Sequence, residues 1–319
     1  MERFLLMTKY KIVANPVSGR GMGEHHIPDI EAAFRKSGLN FSLVRTEYPG
    51  HAIQLTQQAV TDGYDYIIAS GGDGTVNEVI NGLMLAKKAG FGNAGMGVIT
   101  VGRGNDFAYS MGIPAGWEAC CHLIGKNLTR EIDIGLVTGG DFPEGRYFGN
   151  GVGIGFDAVV GFIAVKLKPL SGFLSYIVAA LETIFLYYKA PLVRIELDGA
   201  ETINQASLMV SIMNGRRLGG GFMLAPNGLA DDDKFDLNIV EQASKFQNLL
   251  LMLRYIQGKQ AGHPKIKLCQ ANKVTVTAIE GVLPAHADGE TLCKEGSRLD
   301  IEILPRQINL ISIAPEKVL

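Results

Sequence analysis

The chain has 319 residues, 47% hydrophobic and only 19% charged, against roughly 25% charged in an average soluble domain. A chain this long and this apolar buries a core without disulfide or metal staples, and disorder over most of its length is excluded. Thirty basic against 32 acidic residues leave a net charge of -2, which argues against the basic excess of a nucleic-acid-binding protein. Cys120, Cys121, Cys269 and Cys293 show no C-x-x-C spacing, so reduced thiols in a cytoplasmic protein are expected. Forty glycines, about one residue in eight against a usual ~7%, follow no collagen period and point to loops built from glycine.

Residues 1–9 are too short an apolar stretch for a signal peptide. Residues 11–14, 41–45, 66–69 and 96–100 then read as strands, and 27–36, 52–60 and 76–88 as helices. Repeated β-α units predict a parallel sheet flanked by helices, with ligands beyond the carboxyl ends of the strands. After about residue 134 the strands follow one another, at 146–148, 193–197, 208–213, 236–240, 273–278 and 299–304. Helical patterns at 173–187 and 245–256 interrupt them. The expected fold is an α/β N-terminal domain, 1–134, followed by a mostly antiparallel β-sandwich domain, 135–304. The tail, 305–319, is free to return to the first domain, and a cleft between the domains is the natural place for chemistry. Residues 172–188 are nearly all apolar, but the run is shorter than the ~20 residues of a spanning helix. Glu182 interrupts it and Pro191 follows, so a buried or interfacial helix is expected.

The strongest local signal runs from Ser70 to Gly82, SGGDGTVNEVING. It follows a strand and opens a helix. Thr75 with Glu78 fits a capping box, which predicts Thr75 as the N-cap. Val76, Val79, Ile80 and Leu83 have the spacing of one buried helix face, and Lys87, Lys88 and Gly90 fit its end. Strand, glycine loop and helix N-terminus together favour an anion such as phosphate; a plain tight turn explains the glycines equally well. The spacing is neither G-x-G-x-x-G nor G-x-x-x-x-G-K-[ST]. Asp73 beside a phosphate cradle would be repulsive without an intervening cation.

GGDGT followed by Asn77-Glu78 resembles the nucleotide loop shared by lipid kinases, NAD kinases and phosphofructokinases. Asn15-Pro16-Val17-Ser18-Gly19 reads locally as a turn, and it also resembles the first nucleotide-contacting loop of the diacylglycerol and sphingosine lipid kinase family. NAD kinases do not usually carry that loop. Gly102-Arg103-Gly104-Asn105-Asp106-Phe107-Ala108 is similar to the family's G-T-x-N-D-F-A element, with Arg103 where many members have Thr. Across residues 15–290, in matching order, the chain is similar to bacterial diacylglycerol kinases.

That resemblance implies an ATP-dependent lipid kinase with an NAD kinase-like first domain. It makes Asn15, Pro16, Ser18, Gly19, Thr46, Gly71, Gly72, Asp73, Gly74, Thr75, Asn77, Glu78, Arg103, Asn105 and Asp106 the nucleotide-binding positions. Thr46 reads as well as a helix cap. Asp73, Asp106 and Asp133 would cluster through water and magnesium, although Asp133 could as simply accept backbone hydrogen bonds. The run Asp231-Asp232-Asp233 reads on its own as a solvated turn. The resemblance implies Mg2+ there, held by Asp232 and the carbonyls of Leu229 and Lys234, with Asp233 departing from a family Gly. Asp288-Gly289 is a hairpin signal, and the family's D-G-E makes Glu290 the general base, supported by Asp288. A carboxylate in that role removes the proton from an alcohol that is a weak nucleophile at neutral pH.

The implied partner is a lipid at the inner membrane face, reached by a peripheral enzyme through residues 166–170 and 249–253, with a homodimer as the family's common assembly. Ordinary core helices with solvated lysines describe those segments equally well. Sphingosine-like bases and other lipid alcohols share the scaffold, and an NAD kinase-like enzyme is the rival from outside lipid chemistry. A non-catalytic sensing module would be marked by loss of Glu290 or Asp73, and both are present.

Overall fold

The computed structural model describes residues 8–102, 104–167, 173–187 and 189–314. They form two compact units, the chain through Ile132 with the stretch from Gln307, and Asp133–Arg306. The first unit contains β1 (Lys9–Ala14), α1 (Ser18–Lys36), β2 (Asn40–Arg45), α2 (His51–Thr61), β3 (Tyr66–Gly71), α3 (Asp73–Lys88), β4 (Gly95–Thr100), α4 (Asp106–Ser110) and α5 (Trp117–Lys126). Its strands are parallel in the order β2-β1-β3-β4. β3 and β4 are apolar and buried almost throughout, as strands covered by helices on both faces must be. Chain order reverses direction at β1, whose neighbours are β2 on one side and β3 on the other. That reversal opens a crevice at the carboxyl ends of β1 and β3, the usual ligand position in such sheets.

α3 ends as its sequence predicts, with Lys87 and Lys88 in the last turn and Gly90 at φ 76°; the cations suit the negative end of the helix. α1 begins earlier than the 27–36 pattern indicates. Gly19, Arg20 and Gly21 take left-handed φ values of 58°, 64° and 90°, so a distorted first turn precedes the regular helix.

The second unit runs through β5 (Thr129–Gly139, entered from the first unit), β6 (Phe142–Phe148), β7 (Gly151–Gly155), α6 (Phe156–Ala164), α7 (Phe173–Glu182), β8 (Leu192–Leu197) and β9 (Glu201–Met213). It continues with β10 (Phe235–Glu241), α8 (Lys245–Gln257), β11 (Ile266–Ala271), β12 (Lys273–Glu280), β13 (Leu283–Ala287), β14 (Glu290–Gly296) and β15 (Arg298–Ile311), which leads back into the first unit. The strand pairs described within this unit are antiparallel, along β14-β13-β7-β9-β10-β11 and β9-β8-β12-β15. Their inner faces form one sandwich core that includes Val152, Ile154, Val210, Ile212, Val274 and Val276. Phe148 and Phe235 stack within it, ring centres 5.6 Å apart.

The 173–187 pattern predicts a single helix, and the structure corrects this. Regular α-helix stops at Glu182 and a π turn covers Thr183–Tyr187. The Thr183 hydroxyl donates to the Ala179 carbonyl at 2.7 Å, competing with the backbone ladder where the helix widens. α6, α7 and α8 share a second apolar cluster around Val160, Ala179, Ala180 and Met252. No helix among the described residues is long and apolar enough to cross a membrane. The segment Lys168-Pro169-Leu170, part of the proposed membrane approach, lies outside the described residues, as do residues 1–7.

Candidate functional site

In the first unit, loops at the ends of three strands are tied together. Asn15 Oδ1 accepts from the Val17 N–H at 3.1 Å, and the Ser18 hydroxyl donates to the Asn15 carbonyl at 2.8 Å, closing a turn through Pro16. Asn15 Nδ2 donates to Thr75 Oγ1 at 3.1 Å, linking this loop to the start of α3. Gly19 lies against the Val101 carbonyl, where no side chain fits. Gly72 and Gly102 pass backbone to backbone: a Cβ on Gly102 would fall 2.5 Å from Gly72 Cα. Thr46 joins them at the end of β2, its N–H donating to the Ala14 carbonyl at 2.8 Å.

Helix α3 departs from the capping-box expectation. It starts at Asp73, with extended Gly72 as its cap, so Thr75 lies inside the first turn. The helix therefore begins three residues earlier than the pattern predicts, at the Gly71-Gly72 turn, and the Thr75 hydroxyl is engaged by Asn15. Glu78 reaches instead to α2, where its Oε1 accepts from Gly50 N–H at 2.8 Å and its Oε2 from Ala52 N–H at 3.0 Å. A carboxylate there satisfies donors and favours the positive end of α2. Asn77 is fully buried and accepts from Asn81 Nδ2.

Asp73 Oδ1 accepts from the Phe107 N–H at 3.1 Å, at the start of α4. Asn105, at φ 50°, donates to the Gly102 carbonyl, and Asp106 is buried beside it. A Cβ on Gly104 would come 2.9 Å from Asp73 and 3.9 Å from Asp106, so the two carboxylates share one corner. Arg103 lies outside the described residues. Gly72, Asp73 and Gly74 leave the first N–H groups of α3 at the carboxyl end of the sheet, an arrangement that favours an anion.

In the second unit, Asp288 and Gly289 have φ of 50° and 86° and join Ala287 to Glu290, the left-handed pair of a type I′ hairpin turn. The hairpin signal is thus confirmed. The Asp288 carboxylate is buried and accepts three backbone N–H groups: Gly149 at 2.8 Å, Asn150 at 2.9 Å and Gly151 at 2.9 Å. Asn214 extends this lattice, its Nδ2 donating to the carbonyls of Gly149 and Asp133. Glu290 is exposed, and no hydrogen bond or ion pair with the described residues engages its carboxylate.

Asp133 follows the simpler of its two readings within this unit. Its carboxylate accepts from the N–H groups of Asp233 and Arg306, each at 2.8 Å. Burial, helped by the charges of Asp233 and Asp232, nonetheless raises its pKa against the lowering by those two donors. Asp233 occupies a left-handed conformation at φ 63°, which Gly adopts freely and Asp tolerates.

Burial, followed by the charge of Asp236, raises the Asp232 pKa, and the Lys234 N–H bonds back to its Oδ1 at 3.3 Å. Asp233 Oδ1 is buried with no hydrogen-bond partner. Among the described residues no three His, Cys, Asp or Glu side chains converge as a ready cation cage. Three consecutive carboxylates and the orphaned Asp233 oxygen nevertheless fit the all-oxygen ligands of a hard cation.

Two residues beneath the hairpin escape any reading by motif. His286 is buried on β13, and its Nδ1 accepts from the Gly289 N–H at 3.3 Å. Burial pulls its pKa down to about 4. Asp157, at the start of α6, is pushed up to about 7 by burial, while Ser211 donates to its Oδ2 at 2.9 Å. A Cβ on Gly153 would collide with both side chains, so the strand between them must carry glycine.

Comparison with known proteins places these features in context. Residues 9–137 match the diacylglycerol kinase catalytic domain, and residues 150–312 match the YegS C-terminal NAD kinase beta sandwich-like domain. The chain is 32% identical over 288 residues to a diacylglycerol kinase of Bacillus subtilis, covering 89% of this chain and 90% of that one. It is 29% identical over 310 residues to a diacylglycerol kinase of Staphylococcus aureus, covering 97% and 93%. A crystal structure of a putative diacylglycerol kinase from Bacillus anthracis superposes with TM-score 0.77 at 25% identity, over 96% of this chain and 97% of that one. Yeast NADH kinase complexed with NADH gives TM-score 0.54 at 9% identity, covering 98% and 86%, a likeness of fold alone.

The Asp288 lattice predicts that Asp288→Asn lowers stability by about 2–3 kcal/mol, because an amide offers one acceptor oxygen and turns N–H donors toward N–H donors. A urea midpoint equal to wild type would show that the carboxylate does not hold the turn. His286 gives a pH-dependent expectation. Its folded pKa of about 4 lies below the ordinary 6.5 of a histidine, so stability from the neutral ring is present above pH 6.5 and is lost as pH falls toward 4. Asp157, raised, works in the opposite sense, its contribution fading as pH rises toward 7. The wild-type profile minus that of His286→Gln isolates the histidine and should change by about 3 kcal/mol across that window; parallel profiles would contradict it.

Proposed function

This chain belongs to the bacterial diacylglycerol kinase family and is a lipid kinase, and from that premise we propose that it transfers the γ-phosphoryl group of ATP to diacylglycerol, forming phosphatidic acid. The observation that carries the reading is Glu290, an exposed and unengaged carboxylate on a turn that Asp288 fixes with three backbone hydrogen bonds. Such a carboxylate suits a general base for an alcohol.

The glycine loops of the first unit hold the nucleotide. N–H groups at the start of α3 face its phosphates, while Asn15, Pro16, Ser18, Gly19, Thr46, Gly71 and Asn105 shape the rim. Asn77 and Glu78 act through the scaffold, one inside α3 and the other by seating α2. Thr75 acts by holding the first loop through Asn15. Glu290 takes the proton from the lipid hydroxyl as that oxygen bonds to the γ-phosphorus. The bond from that phosphorus to its bridging oxygen breaks, and ADP leaves. Phosphoryl transfer of this kind depends chiefly on positioning and electrostatics.

Asp232, with the carbonyls of Leu229 and Lys234, would hold Mg2+ in the second unit. A bound divalent cation supplies charge neutralisation there. Asp133, whose carboxylate takes the Asp233 N–H, keeps that loop in place. A peripheral enzyme at the inner membrane face meets its lipid without crossing the bilayer. Sphingosine-like bases are the second substrate class, because the same loops and base serve any lipid hydroxyl.

Transfer from labelled ATP with Mg2+ in mixed micelles, to diacylglycerol, sphingosine, ceramide and NAD in parallel, tests the reading. Labelled phosphatidic acid is expected, reduced by about 100-fold or more in Glu290→Gln. Label in NAD alone would overturn it, and an unaffected Glu290→Gln would remove the base. Mg2+ is expected to raise the thermal midpoint of wild type, and Asp232→Asn to abolish that rise; an equal rise in both would place the cation elsewhere.

A further inference from the structure

We propose that the outer face of α8, with the adjoining π turn, is the surface by which the second unit docks on an anionic lipid bilayer. The proposal rests on the reading of the chain as a kinase of membrane lipid and names the patch that such an enzyme would use.

α8 has two unlike faces. Leu251, Met252 and Tyr255 are buried against the unit. On the opposite side Phe246, Leu250 and Leu253, spaced i, i+4 and i+7, are 70%, 46% and 47% exposed. Three large apolar side chains along one helix stripe form a continuous ridge, unlike the scattered exposed residues of an ordinary surface. The π turn lies against α8 and adds Phe185, itself 50% exposed. The Lys245 ammonium donates to the Phe185 carbonyl at 2.7 Å and so pins the two elements together.

Charge identifies the occupant. α8 carries Lys245 and Arg254 and no acidic residue, and Lys259 follows just after it. Cations bordering an apolar stripe match a bilayer, where apolar side chains enter the acyl boundary and cations remain among anionic headgroups. The helix is capped at both ends without a ligand: Ser244 and Gln247 form a complete capping box, and Gly258 closes the other end at φ 66°. The stripe therefore stands formed before any bilayer is met, and docking requires no folding step.

The test uses the full chain and vesicles of phosphatidylcholine with or without phosphatidylglycerol. Wild type is expected to float with the anionic vesicles and to be released by salt. The triple variant Phe246→Ser, Leu250→Ser, Leu253→Ser is expected to lose at least about tenfold in partitioning. It should keep wild-type turnover on a short-chain diacylglycerol dispersed below its micellar concentration. Equal flotation of variant and wild type overturns the proposal, whatever the activity. Flotation lost in the variant, with no lipid phosphorylated by wild type, would keep the docking face and reject the kinase reading.

Should the triple variant fail to fold, Leu250→Trp gives a second measurement. Its added emission is expected to shift blue on anionic vesicles and to be quenched by brominated acyl chains; an unshifted, unquenched spectrum overturns the proposal. Sedimentation of the same proteins without lipid covers the other occupant. A wild-type dimer that becomes monomeric in the triple variant would make the face a contact between copies of this chain, and the bilayer assignment would fall.

Discussion

A carboxylate withdrawn from water must find donors, and at the motif positions of this chain the donors are backbone N–H groups. Asp288 takes three, Asp133 two, Glu78 two and Asp73 one. Each bond joins segments distant in sequence: the hairpin to the β6-β7 connection, the Asp233 loop to β5, α2 to α3, α4 to the glycine loop. Hydrogen bonds to a charged acceptor are among the stronger local contributions to stability. They also fix loops that have little side-chain packing of their own. Glu290 stands apart because nothing described engages it, the freedom that the base proposed above requires.

The glycine loops obey a complementary constraint. Where acids pull backbones together, glycines let them approach. The contact between Gly72 and Gly102 leaves no space for a Cβ on Gly102 and little for one on Gly72. Two loops from different strands can then turn polar main-chain groups toward a single ligand. The same residues that raise the glycine content therefore set how the loops after β3 and β4 close on each other beside the crevice.

Much of this was legible in the sequence wherever a physical rule acts over a few residues. The β-α alternation, the basic end of α3 and the left-handed turn at Asp288-Gly289 follow from period, charge and dipeptide. The start of α3 departs from its pattern because Thr-x-x-Glu is a valid cap in isolation, and only the spatial neighbours of Thr75 and Glu78, Asn15 and Gly50, show that both side chains are engaged elsewhere. The break at Thr183 was hidden for a similar reason, since apolar periodicity does not register a hydroxyl turning back on its own helix. Asp157 and His286 share no motif; they meet only because β7 and β13 are paired, with Gly153 opposite His286. Asp133 offered two readings because one carboxylate serves equally well for water, metal or main chain until its donors are known.

The Asp288-Gly289 turn has a further consequence, for the chemical ageing of the chain. Among aspartyl peptides, aspartyl-glycine is the most prone to close into a succinimide and reopen as isoaspartate, because the glycine nitrogen can attack the side-chain carboxyl unhindered. Here three N–H groups hold the Asp288 oxygens, while His286 takes the Gly289 N–H. The nucleophile and its target are thus restrained separately, and the folded hairpin protects the bond that an unfolded chain would expose. Isoaspartate at this site would accordingly record time spent unfolded rather than time elapsed.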